Sequence, residues 1–177
     1  MINMPRRGPR RPQDELLVAD FFVLHQLAIN DVYCNLRFGR KPISYVQFVN
    51  WVAFTEPITP DLRLIPDGYV EFSTSSGIDA SFIEVDLGNE ALSVWEEKAQ
   101  HYLQLAKSGD FARRFKHSRF RVLVLVNSAR RLRAIRAAVA PVTEKIFWFA
   151  TLDEVKGEKF FGPEWLRPAE QTKQSIF

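Results

Sequence analysis

Several features that would commit a protein to a particular compartment or chemistry are missing from this sequence of 177 residues. Cysteine occurs once, at Cys34, which excludes an internal disulfide framework and a metal site built from several thiolates. No apolar run approaches the roughly 18 residues that cross a bilayer, and no signal-type apolar segment follows the basic N-terminus. A G-x-x-x-x-G-K-[ST] phosphate loop is also missing, so ATPase activity is not expected. We therefore predict a cytoplasmic protein with no membrane partner.

Charge of one sign is missing from two long stretches. Residues 64–97 contain eight Asp or Glu and no Lys or Arg, whereas residues 111–143 contain nine Lys or Arg and no Asp or Glu. Separate blocks of this kind indicate one region that holds cations and another that binds phosphate groups. Two unrelated solvated faces would give the same pattern, so both interpretations stay open.

The residues that are present suffice for one globular domain. Hydrophobic residues make up 46% of the chain and charged residues 25%, and the hydrophobic set includes fifteen Phe and four Trp. Residues 1–12 are rich in Pro and Arg, which predicts a flexible basic arm. The folded domain is expected over residues 13–168, followed by a tail over residues 169–177.

The hydrophobic pattern predicts an α/β fold. Apolar residues spaced three or four apart predict three helices, over residues 14–38, 89–107 and 128–140. Short apolar or alternating runs predict four strands, over residues 62–72, 80–87, 120–126 and 146–150. Residues 42–60 fit either a short helix or a strand. This order of elements predicts a mixed four-stranded sheet flanked by helices.

Carboxylates collect on the first two predicted strands. Alternation along a strand puts Glu84 and Asp86 on one face, and pairing with the preceding strand brings Asp67 beside them. Three carboxylates in one small volume repel one another unless a proton or a cation neutralises them, and oxygen ligands favour Mg²⁺ or Mn²⁺ over Zn²⁺. Lys98 and Tyr102 lie one turn apart on the next helix, where the lysine could orient a water or stabilise a transition state. A solvent-exposed edge strand beside a solvated lysine would explain the same residues.

The basic block is the candidate surface for DNA. Arginine side chains match phosphate groups in a bidentate fashion, and no acid balances them here. The predicted DNA-binding residues are the arginines of the third helix and of the segment before it: Arg130, Arg131, Arg133, Arg136 and Arg119. An ordinary solvated helix is the alternative. His25, on the first helix, is a candidate metal ligand, but helix packing accounts for it more simply.

The spacing of these residues resembles a known superfamily. P-D at 66–67, E-x-D at 84–86 and K-x-x-x-Y at 98–102 resemble the PD-(D/E)XK nucleases, which have a restriction-endonuclease-like core. More narrowly, the chain resembles the replication-relaxation family of plasmid and mobile-element proteins. The segments that carry this second resemblance are HQLAIND, LIPDGYVEF, FIEVDLGNE, KAQHYLQL and FWFATLDEV.

The resemblance implies that Asp67 and Glu84 bind the metal. Position 86, where the nuclease pattern has a lysine, holds Asp86, so either Lys98 supplies the amine from the helix or the site has lost cleavage. Tyr102 would support the site. Members of the replication-relaxation family typically carry a winged-helix domain before this core, so the resemblance implies that such a domain is absent here or separately encoded.

Three hypotheses about function follow. The leading one is a Mg²⁺- or Mn²⁺-dependent DNA endonuclease or nicking protein of a plasmid or mobile element, for which a homodimer would suit duplex cleavage. The alternative is a non-catalytic DNA-binding accessory protein that works with plasmid replication, relaxation or transfer proteins. The third is a protein-interaction module in a larger replication complex, which would bind no DNA.

Overall fold

A computed structural model describes the backbone of residues 12–177 and the side chains from residue 20 onward. The predicted basic arm therefore lies outside the described residues, except for Pro12, which is the first residue of a helix. The helices are α1 (Pro12–Phe38), α2 (Leu92–Ser108), α3 (Asp110–Phe115) and α4 (Ala129–Val139). The strands are β1 (Gln47–Val52), β2 (Gly68–Thr74), β3 (Gly77–Asp86), β4 (Arg121–Val126) and β5 (Phe147–Thr151), and a short 3₁₀ helix spans Gly157–Phe161.

The five strands form one mixed sheet in the order β1-β2-β3-β4-β5. β1 pairs with β2, and β2 with β3, in antiparallel fashion, whereas β3, β4 and β5 run parallel and are joined by helical crossovers. The α/β class is therefore confirmed, but the predicted count of four strands is wrong. The missing strand is β1, whose aromatic and apolar residues pair with β2 from Gln47 to Val52.

Helices cover both faces of the sheet. Ile29, Val32 and Leu36 of α1 pack on one face, together with residues of the chain after β5. On the other face, α2 and α4 pack against side chains that include Phe82 and Val124. β4 is buried on both faces, which explains its almost continuous apolar sequence, RVLVLV. Among the described helices, none is both long and apolar enough to span a membrane.

Two boundaries differ from the sequence prediction in ways that shape the site. β2 begins at Gly68 rather than at residue 62, and the indole ring of Trp51 on β1 occupies the space that a Cβ at Gly68 would need. Asp67 therefore lies just before the strand instead of within it. The second helix begins at Leu92, not Asn89, which leaves residues 87–91 as a loop between β3 and α2.

Candidate functional site

The predicted carboxylates lie where β3 ends against the parallel strand β4. Glu84 pairs with Val124 and Asp86 with Val126, at the carboxyl end of both strands. Gly68 lies opposite Ile83, so the antiparallel register continues to place Asp67 beside Glu84. Ligands of open α/β sheets bind at the carboxyl ends of parallel strands. The sheet thus brings these acids together at the edge where binding is expected.

Glu84 is fully buried beneath α2 and makes charged and neutral hydrogen bonds. Lys98 Nζ donates to Glu84 Oε2 over 2.9 Å, and Tyr102 OH donates to Oε1 over 2.6 Å. Lys98 also donates to both carboxylate oxygens of Glu90, each at 3.0 Å, so one ammonium serves two carboxylates. Burial raises the pKa of Glu84 to about 7, in spite of the Lys98 ammonium, which favours the ionised form.

Asp86 is equally buried but is held by a different set of donors. Arg131 on α4 binds it in a bidentate fashion, with Nε at 2.8 Å from Oδ1 and one terminal nitrogen at 2.6 Å from Oδ2. Trp95 Nε1 donates to Oδ2 at 2.8 Å, and the backbone N–H of Gly88 donates to Oδ1 at 2.6 Å. Burial opposes ionisation, but these hydrogen bonds outweigh it and lower the pKa of Asp86.

Asp67 links the site to α1. Its Oδ2 accepts the backbone N–H of Val85 at 2.7 Å and lies 3.4 Å from His25 Nε2. The same His25 nitrogen lies 2.9 Å from the carbonyl oxygen of Val85. The hydrogen bond to Asp67 raises the pKa of His25, although partial burial opposes this. The structure therefore places His25, the candidate metal ligand of the first helix, beside Asp67.

The site has a surplus of negative charge but no three-ligand cluster. Within the described side chains, no three His, Cys, Asp or Glu residues gather in a way that could hold a metal ion. Asp86, expected as a third ligand, has both oxygens engaged by Arg131, Trp95 and Gly88. With every carboxylate ionised and His25 neutral, two cations face four carboxylates: Lys98 and Arg131 against Asp67, Glu84, Asp86 and Glu90. A proton on Glu84, whose pKa is about 7, or on His25, whose pKa is raised, reduces this surplus of two negative charges.

Two carboxylates can still suit a hard divalent cation. Mg²⁺ is commonly bound through one or two carboxylates, with water and substrate phosphate completing its shell. Asp67 and Glu84 are the candidate pair, since neither is held in a bidentate pair with arginine as Asp86 is. The residues present therefore fit a two-carboxylate site rather than the three-carboxylate site predicted from the sequence.

The predicted DNA-binding arginines divide into two groups. Arg130, Arg133 and Arg119 are exposed. Arg131 is committed to Asp86, and Arg136 is buried, with Nε donating to the carbonyl oxygen of Arg167 at 3.0 Å. A surface for phosphate on α4 would therefore involve Arg130 and Arg133 rather than the whole set.

Position along the strands separates the exposed arginines further. Arg119 precedes the amino end of β4, whereas α4 follows its carboxyl end, where the carboxylates lie. The five residue steps from Arg121 to Val126 correspond to about 17 Å. Arg130 and Arg133 are therefore on the helix that enters the site, while Arg119 lies near the opposite end of the sheet.

Sequence reasoning missed three members of the site. Arg131 was assigned to DNA, whereas Trp95, which contacts Asp86, and Glu90, which contacts Lys98, were given no role in the site. Glu90 and Lys98 are eight residues apart, and Arg131 and Asp86 are 45 apart. The first of these pairs could have been suspected from the loop before α2, but the second depends on the crossover that brings α4 over β3.

These features describe an α/β protein with a buried carboxylate–lysine cluster at the carboxyl end of its central strands. The replication-relaxation family model matches residues 2–118, about two thirds of the chain, and the protein belongs to this family. The matched range includes Asp67, Glu84, Lys98 and Tyr102 and ends before β4. No curated protein and no solved structure shows a significant match. Family membership supports a role in replication or relaxation, the coarser part of the functional prediction.

Proposed function

We propose that this protein is a metal-dependent DNA endonuclease or nicking protein with a PD-(D/E)XK-like core, acting in the replication or relaxation of a plasmid or mobile element. The observation that carries the proposal is the buried Glu84, which lies beside Asp67 and accepts a hydrogen bond from Lys98. A buried carboxylate with a pKa near 7 and a specific charged partner is typical of functional sites.

Asp67 and Glu84 would hold Mg²⁺ or Mn²⁺, which when bound supplies an activated water and neutralises charge on the phosphodiester. Lys98 makes its three hydrogen bonds to Glu84 and Glu90, so its ammonium would give up one of the two contacts with Glu90 to donate to a phosphate oxygen or the attacking water. Tyr102 fixes the second oxygen of Glu84 and so sets the direction of the carboxylate.

Arg130 and Arg133 would contact phosphates on either side of the site. They lie on the helix that begins where β4 ends, and Ser128 caps that helix by accepting the N–H of Arg131 at 3.3 Å. Sequence-independent contacts of this kind position DNA without reading its bases. The proposal therefore assigns cleavage chemistry to β3 and α2, and backbone positioning to α4.

The test is a plasmid nicking assay in Mg²⁺, Mn²⁺ and EDTA with the wild type, Asp67→Asn, Glu84→Gln and Lys98→Met. We expect metal-dependent nicking in the wild type and a loss of about 100-fold or more in each variant, the usual cost of removing a preorganised charged group. Asp79→Asn is the matched control, because Asp79 also lies on β3 and is ion-paired, but with Arg121 at the far end of the strand. Equal losses in Asp79→Asn and Glu84→Gln would contradict the assignment.

One observation favours the non-catalytic alternative. Both oxygens of Glu84 and both oxygens of Asp86 already have donors from the protein, so the cluster is stable without a metal. In that case the carboxylates hold α2 and α4 on the sheet, and the protein binds DNA as an accessory factor. Salt-sensitive DNA binding with no nicking under either metal would establish this function instead.

A further inference from the structure

A large groove runs beside the candidate site, between α1 and β1. Its volume is about 790 Å³, within the range of pockets that hold small organic ligands. One wall comes from the exposed side of α1 and the other from β1 and the chain that leads from it toward β2. Asp67 and His25 lie at one end, so the groove opens directly onto the carboxylates described above.

The groove has the lining of a nucleobase site rather than of a buried core. Aromatic rings supply the apolar surface, including Phe22, Tyr33 and Trp51. Amide side chains that can hydrogen-bond a base edge lie among them, including Asn30 and Asn50. Successive bases stack on aromatic side chains in proteins that bind single strands, whereas phosphates are held by cations along the same groove.

A cation lies along the groove, away from the carboxylates. Arg37 lines the groove, with its guanidinium 5.2 Å from the centroid of the Phe48 ring. Arg37 has no ion-pair partner among the described side chains. Twelve residues of helix separate it from His25, which corresponds to about 18 Å. A free guanidinium at this distance is placed to bind a phosphate of a strand that continues past the site.

Phe22 connects the groove to the candidate site. It is 69% exposed, and it lines both this groove and a smaller concavity of about 220 Å³ whose walls include Asp86 and Glu90. His25 lines both concavities as well. An aromatic residue between two concavities with 69% of its surface exposed is an available stacking surface.

We propose that the groove between α1 and β1 binds single-stranded DNA, with an unstacked base on Phe22 and a phosphate at Arg37. The inference rests on the proposed function in one respect, because it assigns the substrate of the same site to an unpaired strand. A duplex hides its base faces within the stack, so it cannot use the rings of the groove unless a base is flipped out. The DNA entering the site is therefore single-stranded or locally unpaired.

The test measures binding in EDTA, where no cleavage can occur. Fluorescence anisotropy would compare a labelled oligothymidylate with a blunt duplex for the wild type, Phe22→Ala and Phe22→Tyr. We expect the single strand to bind more tightly than the duplex, and Phe22→Ala to weaken that binding by about 5- to 150-fold, the usual effect of losing one base stack. Phe22→Tyr keeps the ring and should bind as the wild type does.

Two further variants complete the test, one as a control and one at the proposed phosphate contact. Leu24→Ala is the control, because Leu24 is 53% exposed on the same helix but lines neither concavity; the affinity of this variant should stay within about twofold of the wild type. Arg37→Ala should reduce the slope of log affinity against log salt concentration by about one, the value expected for the loss of one phosphate contact. A purely structural role for Arg37 would leave that slope unchanged.

The outcomes separate this inference from the proposed function. Equal affinity for duplex and single strand, or equal losses in Phe22→Ala and Leu24→Ala, would overturn the groove assignment even if metal-dependent nicking is found. The inference would also fail if Phe22→Ala changed the sedimentation of the protein but not its DNA binding, since the exposed rings of α1 would then join two copies of the chain. Binding as expected with no nicking would keep the groove and reject the nuclease.

Discussion

Glu84 and Asp86 lie two residues apart on the same face of β3, and both are almost completely buried, yet their surroundings favour opposite protonation states. Burial raises the pKa of Glu84 to about 7 and the nearby charge of Asp67 acts in the same direction, whereas the Lys98 ammonium, which Glu84 shares with Glu90, opposes this rise. Arg131, Trp95 and a backbone N–H together lower the pKa of Asp86, although burial opposes them. Burial disfavours the ionised form of both carboxylates, and the larger set of donors at Asp86 outweighs it there.

The comparison separates a structural acid from a titratable one. A carboxylate fixed by a bidentate arginine joins α4 to β3 and keeps its charge over the physiological range. A carboxylate that changes state near neutral pH can exchange protons or accept a cation. The comparison of the two acids also explains how an acid is accommodated at position 86, where the PD-(D/E)XK nucleases, which the sequence resembles, have a lysine. Arg131 balances Asp86, while the amine beside Glu84 comes from α2.

The largest expected effect comes from breaking the Asp86 pair. Arg131→Met should lower the free energy of unfolding by about 3–5 kcal/mol, because it leaves a buried carboxylate without its cation. Denaturant unfolding measures this, with Arg133→Met as the control, an exposed arginine on the same helix whose loss should cost less than about 0.5 kcal/mol. Equal costs for the two substitutions would mean that Asp86 is balanced by other donors.

An intermediate effect is expected from the pH dependence of Glu84. Its folded-state pKa of about 7 lies above its ordinary value of 4.5, so the folded protein binds this proton more tightly than the unfolded chain does. The stability that this proton provides is complete below about pH 4.5 and is lost as pH rises through about 7. We expect the free energy of unfolding to fall by about 1–3 kcal/mol between pH 5 and 8.

Glu84→Gln isolates that contribution. The raised pKa of His25 acts in the same direction, so the wild type and the variant will both lose stability, but the variant will lose less. Urea unfolding at several pH values gives the two curves. Parallel curves would show that Glu84 does not titrate in this range and would remove the contrast with Asp86.

The smallest effect is expected from Tyr102→Phe. This substitution removes one hydrogen bond to Glu84 Oε1 and should cost about 1–2 kcal/mol above pH 7, where the carboxylate is ionised. Since that hydrogen bond favours the ionised form, its loss should also move the Glu84 pKa further upward. Titration of the unfolding free energy checks both effects, and a midpoint that moves to lower pH would contradict the arrangement of donors described here.

The sequence predicted the secondary-structure elements more completely than the contacts within the site. The strand at 80–87 and its alternation placed Glu84 and Asp86 on one face correctly, because a period of two is fixed by the backbone. The sequence did not decide between a helix and a strand for residues 42–60, since their aromatic residues suit either element. The pairing with β2 makes residues 47–52 a strand. The basic block was predicted as one DNA surface, but Arg131 and Arg136 point inward to partners 45 and 31 residues away.

The sequence by itself determined the α/β class, the positions of the central strands and the residues that could meet at their carboxyl ends, because these follow from local periodicity and from the chemistry of each side chain. Only the tertiary structure decided which cation faces which acid, since Lys98 and Arg131 reach β3 from two different helices that cross the same face of the sheet. The tertiary structure also decided that a groove lined by aromatic rings reaches Asp67, because α1 and β1 lie beside each other only in the folded protein. Pairing and adjacency depend on contacts between distant parts of the chain, and local sequence carries little information about them.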